Sequence, residues 1–490
     1  MNRSLSICIL AAIASMCVLP VFAENAAKAT PTTLLEAITM GKPMTSFRYR
    51  YETVEQEAFQ PAPNAAKKLD TAHAHTLRSL IGWQTAPFNN FSFAAQITDV
   101  RAFNDDYNDR RDNLSEPGNS NYANIVDPGY TDFNQLFVDW TGIKDTKLRL
   151  GRQVVNIDNV RFIGDIAFRQ NTQVFDGISV FNKSIPKTEI FAAHFDRVRQ
   201  VNTALRDANI GIFNAKYNIS PTESLSGYGY FVDAANLGQN GQPVGGTNVA
   251  GSVISGGNGL GVSQDLNRAA TTDASSRTLG VRLNGVHEFN PDRTGAYTKI
   301  CPNPSFTCYV NNPDWKVLYT AEYAKQDDYR GGSPLIDAHY FKLGGGMAYG
   351  TWSLRIDREK LSSNNGKYGF QTPFGTNHLF QGWSDHFLTT PRQGMEDTFV
   401  TLNGSIGKVQ LYAEYHVFKS DVKFQSMNGK LGNEYGTELN GHVIYPFTKK
   451  AWGKIEYAKF MEDDVYGGNL TGPARKGDKE ILWVTTQYTF

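Results

Sequence analysis

EILWVTTQYTF, residues 480–490, decides the fold. Side chains on a strand alternate between its two faces. Leu482, Val484, Thr486, Tyr488 and Phe490 therefore share one face, and Trp483, Thr485 and Gln487 share the other. The segment ends on an aromatic residue, Phe490. An exposed aromatic strand at this position suits the closing strand of a bacterial outer-membrane barrel. Its terminus would be what the barrel-insertion machinery reads.

The same alternation recurs upstream. Nine candidate strands fall within 44–232 and nine within 276–490, which predicts an all-β, antiparallel up-and-down barrel of about 18 strands. The clearest are Phe91/Phe93/Ala95/Ile97 against Ser92/Ala94/Gln96/Thr98, and Val409/Leu411/Ala413/Tyr415/Val417 against Gln410/Tyr412/Glu414/His416. Each is close to the ~9–11 residues of a tilted spanning strand. The connections alternate as a barrel requires, with short turns on one side and long loops on the other. Segments 55–73, 101–131, 155–173, 233–275 and 361–395 read as long, and 86–90, 142–145, 183–186, 406–407 and 447–450 as short. Segment 290–314 breaks the rule, being long where a periplasmic turn is due.

Residues 1–23 read as a signal peptide. Arg3 is followed by an apolar run over 5–19, Pro20 and the small-residue site ending at Ala23. Residues 24–43 read as a periplasmic lead-in with a helical turn near 33–40, and 44–490 as the barrel. Beyond Ala23 no window reaches the ~18 apolar residues of a membrane helix. Aromatic residues make up 12% of the chain, which suits girdles at the two membrane interfaces. The 48 basic and 48 acidic residues cancel, which argues against a nucleic-acid partner. Cys301 and Cys308, in CPNPSFTC, are expected to form a disulfide in an exported protein. A metal site would want more ligands than this pair offers.

Catalytic motifs are missing. There is no G-x-S-x-G, H-E-x-x-H or phosphate loop. The chain is read as no enzyme, with no cofactor. Chemistry is instead expected in the lumen, where inward residues tune a water-filled channel. Alternation turns Arg48, Arg50, Arg78, Lys147 and Arg149 inward, with Arg152 at a strand end. The next loop, NIDNVRFIGDIAFRQNTQVFD, adds Arg161 and Arg169 with Asp158 and Asp165. It is too rich in Phe and Ile for solvent, so it is expected to fold inward and narrow the pore. Guanidinium forks suit carboxylates, so an anionic solute fits. Glu52, Asp139, Glu322, Asp357, Glu359, Glu414, Glu438 and Glu456 also turn inward. Arginine and carboxylate can pair across a wall simply to satisfy buried charge. Acidic doublets such as Asp105-Asp106 and Asp327-Asp328 mark the expected outer rim. They read as solvated turns, or as sites where cations bridge lipopolysaccharide.

LLEAITMGKPMTSFRYRYETVEQ at 34–56, LRLGRQ at 148–153, DNVRFIG at 158–164 and RQNTQVFD at 169–176 resemble the alginate-export family of outer-membrane porins. The resemblance runs over about 34–182. It implies an eighteen-stranded monomeric barrel and a positively charged constriction passing a polyanionic uronate saccharide. Carried over residue by residue, it places Arg149, Arg152, Arg161, Arg169, Asp158 and Asp165 at that constriction. The expected role is passive diffusion of hydrophilic, anionic solutes across the outer membrane. A general porin, or a plugged barrel acting through its long loops, is the alternative.

Overall fold

A computed structural model describes residues 30–56, 59–60, 67–109, 119, 121–233, 275–289, 315–425, 431–463, 465 and 477–490. The expected signal peptide, the cysteine pair and most of 233–275 lie outside these residues.

Eighteen long strands, joined by the two-residue strand Lys42–Pro43 paired with Trp83 and Gln84, form one antiparallel sheet. The first six are β1 Ser46–Gln56, β2 Ala72–Gln84, β3 Phe91–Ala102, β4 Tyr130–Trp140, β5 Thr146–Gln153 and β6 Val174–Asn182. The next six are β7 Thr188–Arg199, β8 Leu205–Ser220, β9 Glu223–Asp233, β10 Ser276–Glu288, β11 Trp315–Asp328 and β12 Asp337–Tyr349. The last six are β13 Trp352–Leu361, β14 Met395–Ile406, β15 Val409–Gln425, β16 Leu431–Pro446, β17 Ala451–Glu462 and β18 Lys479–Thr489. Each strand pairs with its neighbours in sequence, and β18 pairs with β1 from Ser46↔Thr489 to Gln56↔Lys479. Closure removes both sheet edges, so every strand can satisfy its backbone groups within the wall, as a hydrocarbon surround demands. A short helix, α1 Leu34–Thr39, precedes the barrel, with the Thr33 hydroxyl accepting from the Glu36 N–H. No helix among the described residues is long and apolar enough to span a membrane.

Every expected strand is present. Ends differ by a few residues, most at β15, which runs to Gln425 where the alternation predicts an end at 419; β7 and β8 extend toward each other and leave only 200–204 between them. That connection is short although it lies on the long-loop side. The outward rows are apolar: Leu354 and Ile356, or Leu279 and Val281, are exposed on strands whose alternate residues are polar. At the short-turn end the outward face carries aromatics. Phe47 and Tyr488 meet Phe490 edge-on at 5.9 and 4.9 Å, and Trp315 lies 5.0 Å from Tyr349. This is the girdle that the sequence composition suggests.

Gly151 and Gly177 are register partners, both with positive φ, 124° and 155°. A Cβ on Gly151 would run into the Leu136 carbonyl. Gly151→Ala is therefore expected to cost roughly 1–3 kcal/mol of barrel stability. Urea unfolding of the protein in vesicles checks this; an unchanged midpoint would show that the position is not strained.

The outer half of the lumen is packed. Phe162 and Ile163 of loop 154–173 join Phe370, Phe374 and Phe387 of loop 362–394 in a buried apolar cluster with Phe175, Phe195 and Tyr340 of the wall. Tyr107, Ala123 and Ile125 of the β3–β4 connection pack with Trp383 and Trp483 in a second cluster. The long segment read at 361–395 is thus folded into the lumen rather than spread over the outer surface. The reason is hydrophobic: Phe370, Phe374, Trp383 and Phe387 are each at most 5% exposed, and only the lumen could cover them.

Candidate functional site

Loop 154–173 crosses the lumen, and the wall arginines hold it there. Inward residues of β1 run Ser46, Arg48, Arg50, Glu52, Val54, Gln56, all buried. Arg48 donates to the Ala167 carbonyl at 2.7 Å, to the Arg169 carbonyl, and to the Gln170 side chain at 2.9 Å. Arg50 donates to the Phe168 carbonyl at 2.7 Å and lies 4.4 Å over the Phe168 ring. Three successive carbonyls of the loop thus accept from two wall arginines. Arg78 stands opposite Arg48 in the register. It has one long contact, to Gln487 at 3.4 Å, and its Nε is buried without a hydrogen-bond partner. Of the three it keeps the most unused donor capacity.

The loop's own arginines are paired. Arg169 bridges Glu52 of β1 at 3.1 Å and Asp385 of loop 362–394 at 2.7 Å. Asp385 also faces His378 Nδ1 at 2.8 Å. Burial pushes the Asp385 carboxyl up, but His378 and Arg169 outweigh it and hold it well below the usual range. Arg161 lies 2.8 Å from Glu359 of β13, both side chains fully buried. Its remaining nitrogens reach Gln381 at 3.0 Å, Asn377 at 3.4 Å and Thr372 at 3.5 Å, all on loop 362–394. The two loops also meet through the Ile163–Phe374 bridge. Phe168 stacks on His378, centroids 3.4 Å apart, and meets Trp483 of β18 edge-on at 5.5 Å.

The other residues singled out above divide between wall and loop. Arg149 makes a two-pronged pair with Asp139 across β4–β5, at 2.6 and 2.9 Å. Arg152 is held by Asp176 at 2.7 Å and Asp132 at 2.8 Å. Asp158 accepts from Asn214 at 2.7 Å and Ser226 at 3.2 Å, tying the start of the loop to β8 and β9. Asp165 accepts from the Ala167 N–H at 3.1 Å, and burial pushes its carboxyl up. Arg48, Arg50, Arg78, Arg169 and Asp165 belong to one neighbourhood; Arg161 lies on the loop's other contact, at β13; Arg149, Arg152 and Asp158 line the wall beside the loop's root. Asp327, at the outer rim, pairs with Lys325 at 2.9 Å and Arg277 at 3.4 Å. No cluster of metal-ligating side chains occurs among the described residues.

Loop 362–394, with His378, Gln381 and Asp385, is a partner of loop 154–173 inside the lumen that sequence reasoning missed. A signal was present. The argument that a Phe- and Ile-rich loop avoids solvent applies equally to Phe370, Phe374, Phe380, Trp383 and Phe387.

A family model described as alginate export matches residues 43–290. No curated protein matches the chain in sequence. Among solved structures, the chain is similar to OccK5 (OpdH) of Pseudomonas aeruginosa, with 11% identity, a TM-score of 0.56, and 91% of this chain and 98% of that one covered. OpdK of P. aeruginosa, solved with vanillate, aligns at 11% identity and a TM-score of 0.58, covering 91% and 97%. OccAB4 of Acinetobacter baumannii aligns at 10% and 0.57, covering 91% and 98%. At such identities the likeness is one of fold.

Proposed function

The chain belongs to the alginate export family of outer-membrane channels, and from that premise we propose that it passes hydrophilic anions, uronate saccharides among them, through an arginine-bounded constriction. One observation carries this reading. Arg48, Arg50, Arg78 and Arg169 converge where loop 154–173 crosses the lumen, and while the loop's carbonyls, Glu52 and Asp385 engage the others, Arg78 keeps a buried Nε with no hydrogen-bond partner. Transport is passive. A guanidinium replaces part of a carboxylate's hydration, and neighbouring carboxylates keep each stop weak enough for release. No step needs a covalent bond to change.

Conductance in a planar bilayer under a salt gradient tests this. An anion-selective current, reduced by added oligouronate, is expected. A unit charge about 7 Å from the path is worth about 0.6 kcal/mol in water, with opposite sign for anion and cation, so Arg78→Gln should cut the anion-to-cation permeability ratio about sevenfold. An unselective current in the unaltered protein would leave a general porin. A plugged barrel has its own support in the aromatic packing of Phe162, Phe370 and Phe387 across the outer lumen. The absence of any current would favour it.

A further inference from the structure

We propose a second site, on the short-turn side of the constriction, that holds a carboxylated saccharide before it enters; the proposal rests on the channel reading above. A chamber of about 380 Å³ opens between the inner face of β5–β8 and the first residues of loop 154–173. The register arranges its wall. Lys147 faces Phe181, Phe181 faces Phe191, and Phe191 faces Asn214, so a cation, two rings and an amide lie in one level row across four strands. Lys216 stands one inward step nearer the short turns on β8, opposite Glu189.

The charges around this row are unequal in availability. Arg149 is engaged by Asp139 through two of its nitrogens. Glu189 is paired with Lys183 at 3.1 Å. Asp158 accepts from Asn214 and Ser226. Lys147 and Lys216 line the chamber, yet neither makes an ion pair or side-chain hydrogen bond with the described residues. Counting every group named, four cations (Lys147, Lys183, Lys216 and Arg149) face three carboxylates (Asp139, Asp158 and Glu189). The two unused ammoniums are the points at which an anion can dock.

The rings decide what kind of anion. Phe181 and Phe191 offer adjoining apolar surface between the two lysines, which suits the flat face of a pyranose whose edges stay hydrated. Lys147 and Lys216 are three strand spacings and one inward step apart, about 16 Å. One small carboxylate cannot reach both. A uronate oligosaccharide, with a carboxylate on each ring, can. Free phosphate or a neutral sugar would use half the site.

Calorimetric titration of the full-length protein in detergent micelles tests the assignment. The probes are a uronate trisaccharide, a single uronate, maltotriose and benzoate. The trisaccharide is expected to bind best, with Lys147→Gln and Lys216→Gln each weakening it about tenfold. Lysine-to-arginine replacements should retain binding. Circular dichroism establishes that each variant is folded. Equal affinity for the single uronate or benzoate would overturn two-lysine recognition. Trisaccharide binding unaffected by either glutamine variant, or no binding at all, would overturn the site, while an anion-selective current in the same preparation would leave the channel reading standing. Lysine-dependent binding in a protein that carries no current would keep the site and remove the channel.

Discussion

Alanine at position 161 is expected to destabilise the loop assembly by about 3–5 kcal/mol, the usual penalty for stranding one partner of a buried ion pair. Glu359 would be left fully buried with only the Tyr340 hydroxyl at 2.6 Å and the Gln381 amide at 2.6 Å to satisfy it. The same change removes the guanidinium from Thr372, Asn377 and Gln381, and from the Phe380 ring 4.6 Å away. The wall itself should persist, because its ladders do not involve Arg161. Hydrogen exchange over 362–394 is therefore the proper readout, with faster exchange there and little change in β1–β18. Arg161→Met with Glu359→Leu should recover much of the loss, since an apolar pair of similar volume needs no countercharge. Protection as strong in Arg161→Ala as in the unaltered protein would show that the ion pair holds nothing together.

Alanine in place of Arg169 should change conduction more than any other single substitution. Arg169 is the cation between Glu52 on the wall and Asp385 on the second loop. Without it two buried carboxylates face each other inside the lumen, and loop 362–394 loses its tether to β1. Asp385 would retain His378 and the nearby Lys479; Glu52 would have no ion-pair partner. Single-channel conductance is expected to rise and the reversal potential to move toward cation selectivity. Adding Glu52→Gln and Asp385→Asn should return the reversal potential toward its original sign. A current of unchanged size and selectivity in Arg169→Ala would place the constriction elsewhere.

These two arginines show how differently the parts of the site could be read. Both were visible in sequence because they sit in a loop too apolar for solvent. Their partners Glu52 and Glu359 were visible as inward positions, but which carboxylate meets which arginine was not. Arg161 and Glu359 are 198 positions apart in numbering, and no local period links them. Arg48 and Arg50 were legible as inward cations. That they grip the carbonyls of Ala167, Phe168 and Arg169 depends on where the loop comes to rest.

The sequence by itself determined the barrel. Alternation of period two sets which side chain meets lipid and which meets the lumen, and consecutive pairing then follows from short turns; β1 to β18 came from those rules. On β18 that rule puts Trp483 inside, fully buried, and Val484 outside. Only the tertiary structure decided what fills the barrel. A loop has no period, and its burial depends on side chains brought near by closure of the whole ring. Loop 362–394 goes inward because the lumen offers its aromatics a surface to leave water, and because Arg161 and Arg169 arrive from the other side to meet Gln381 and Asp385.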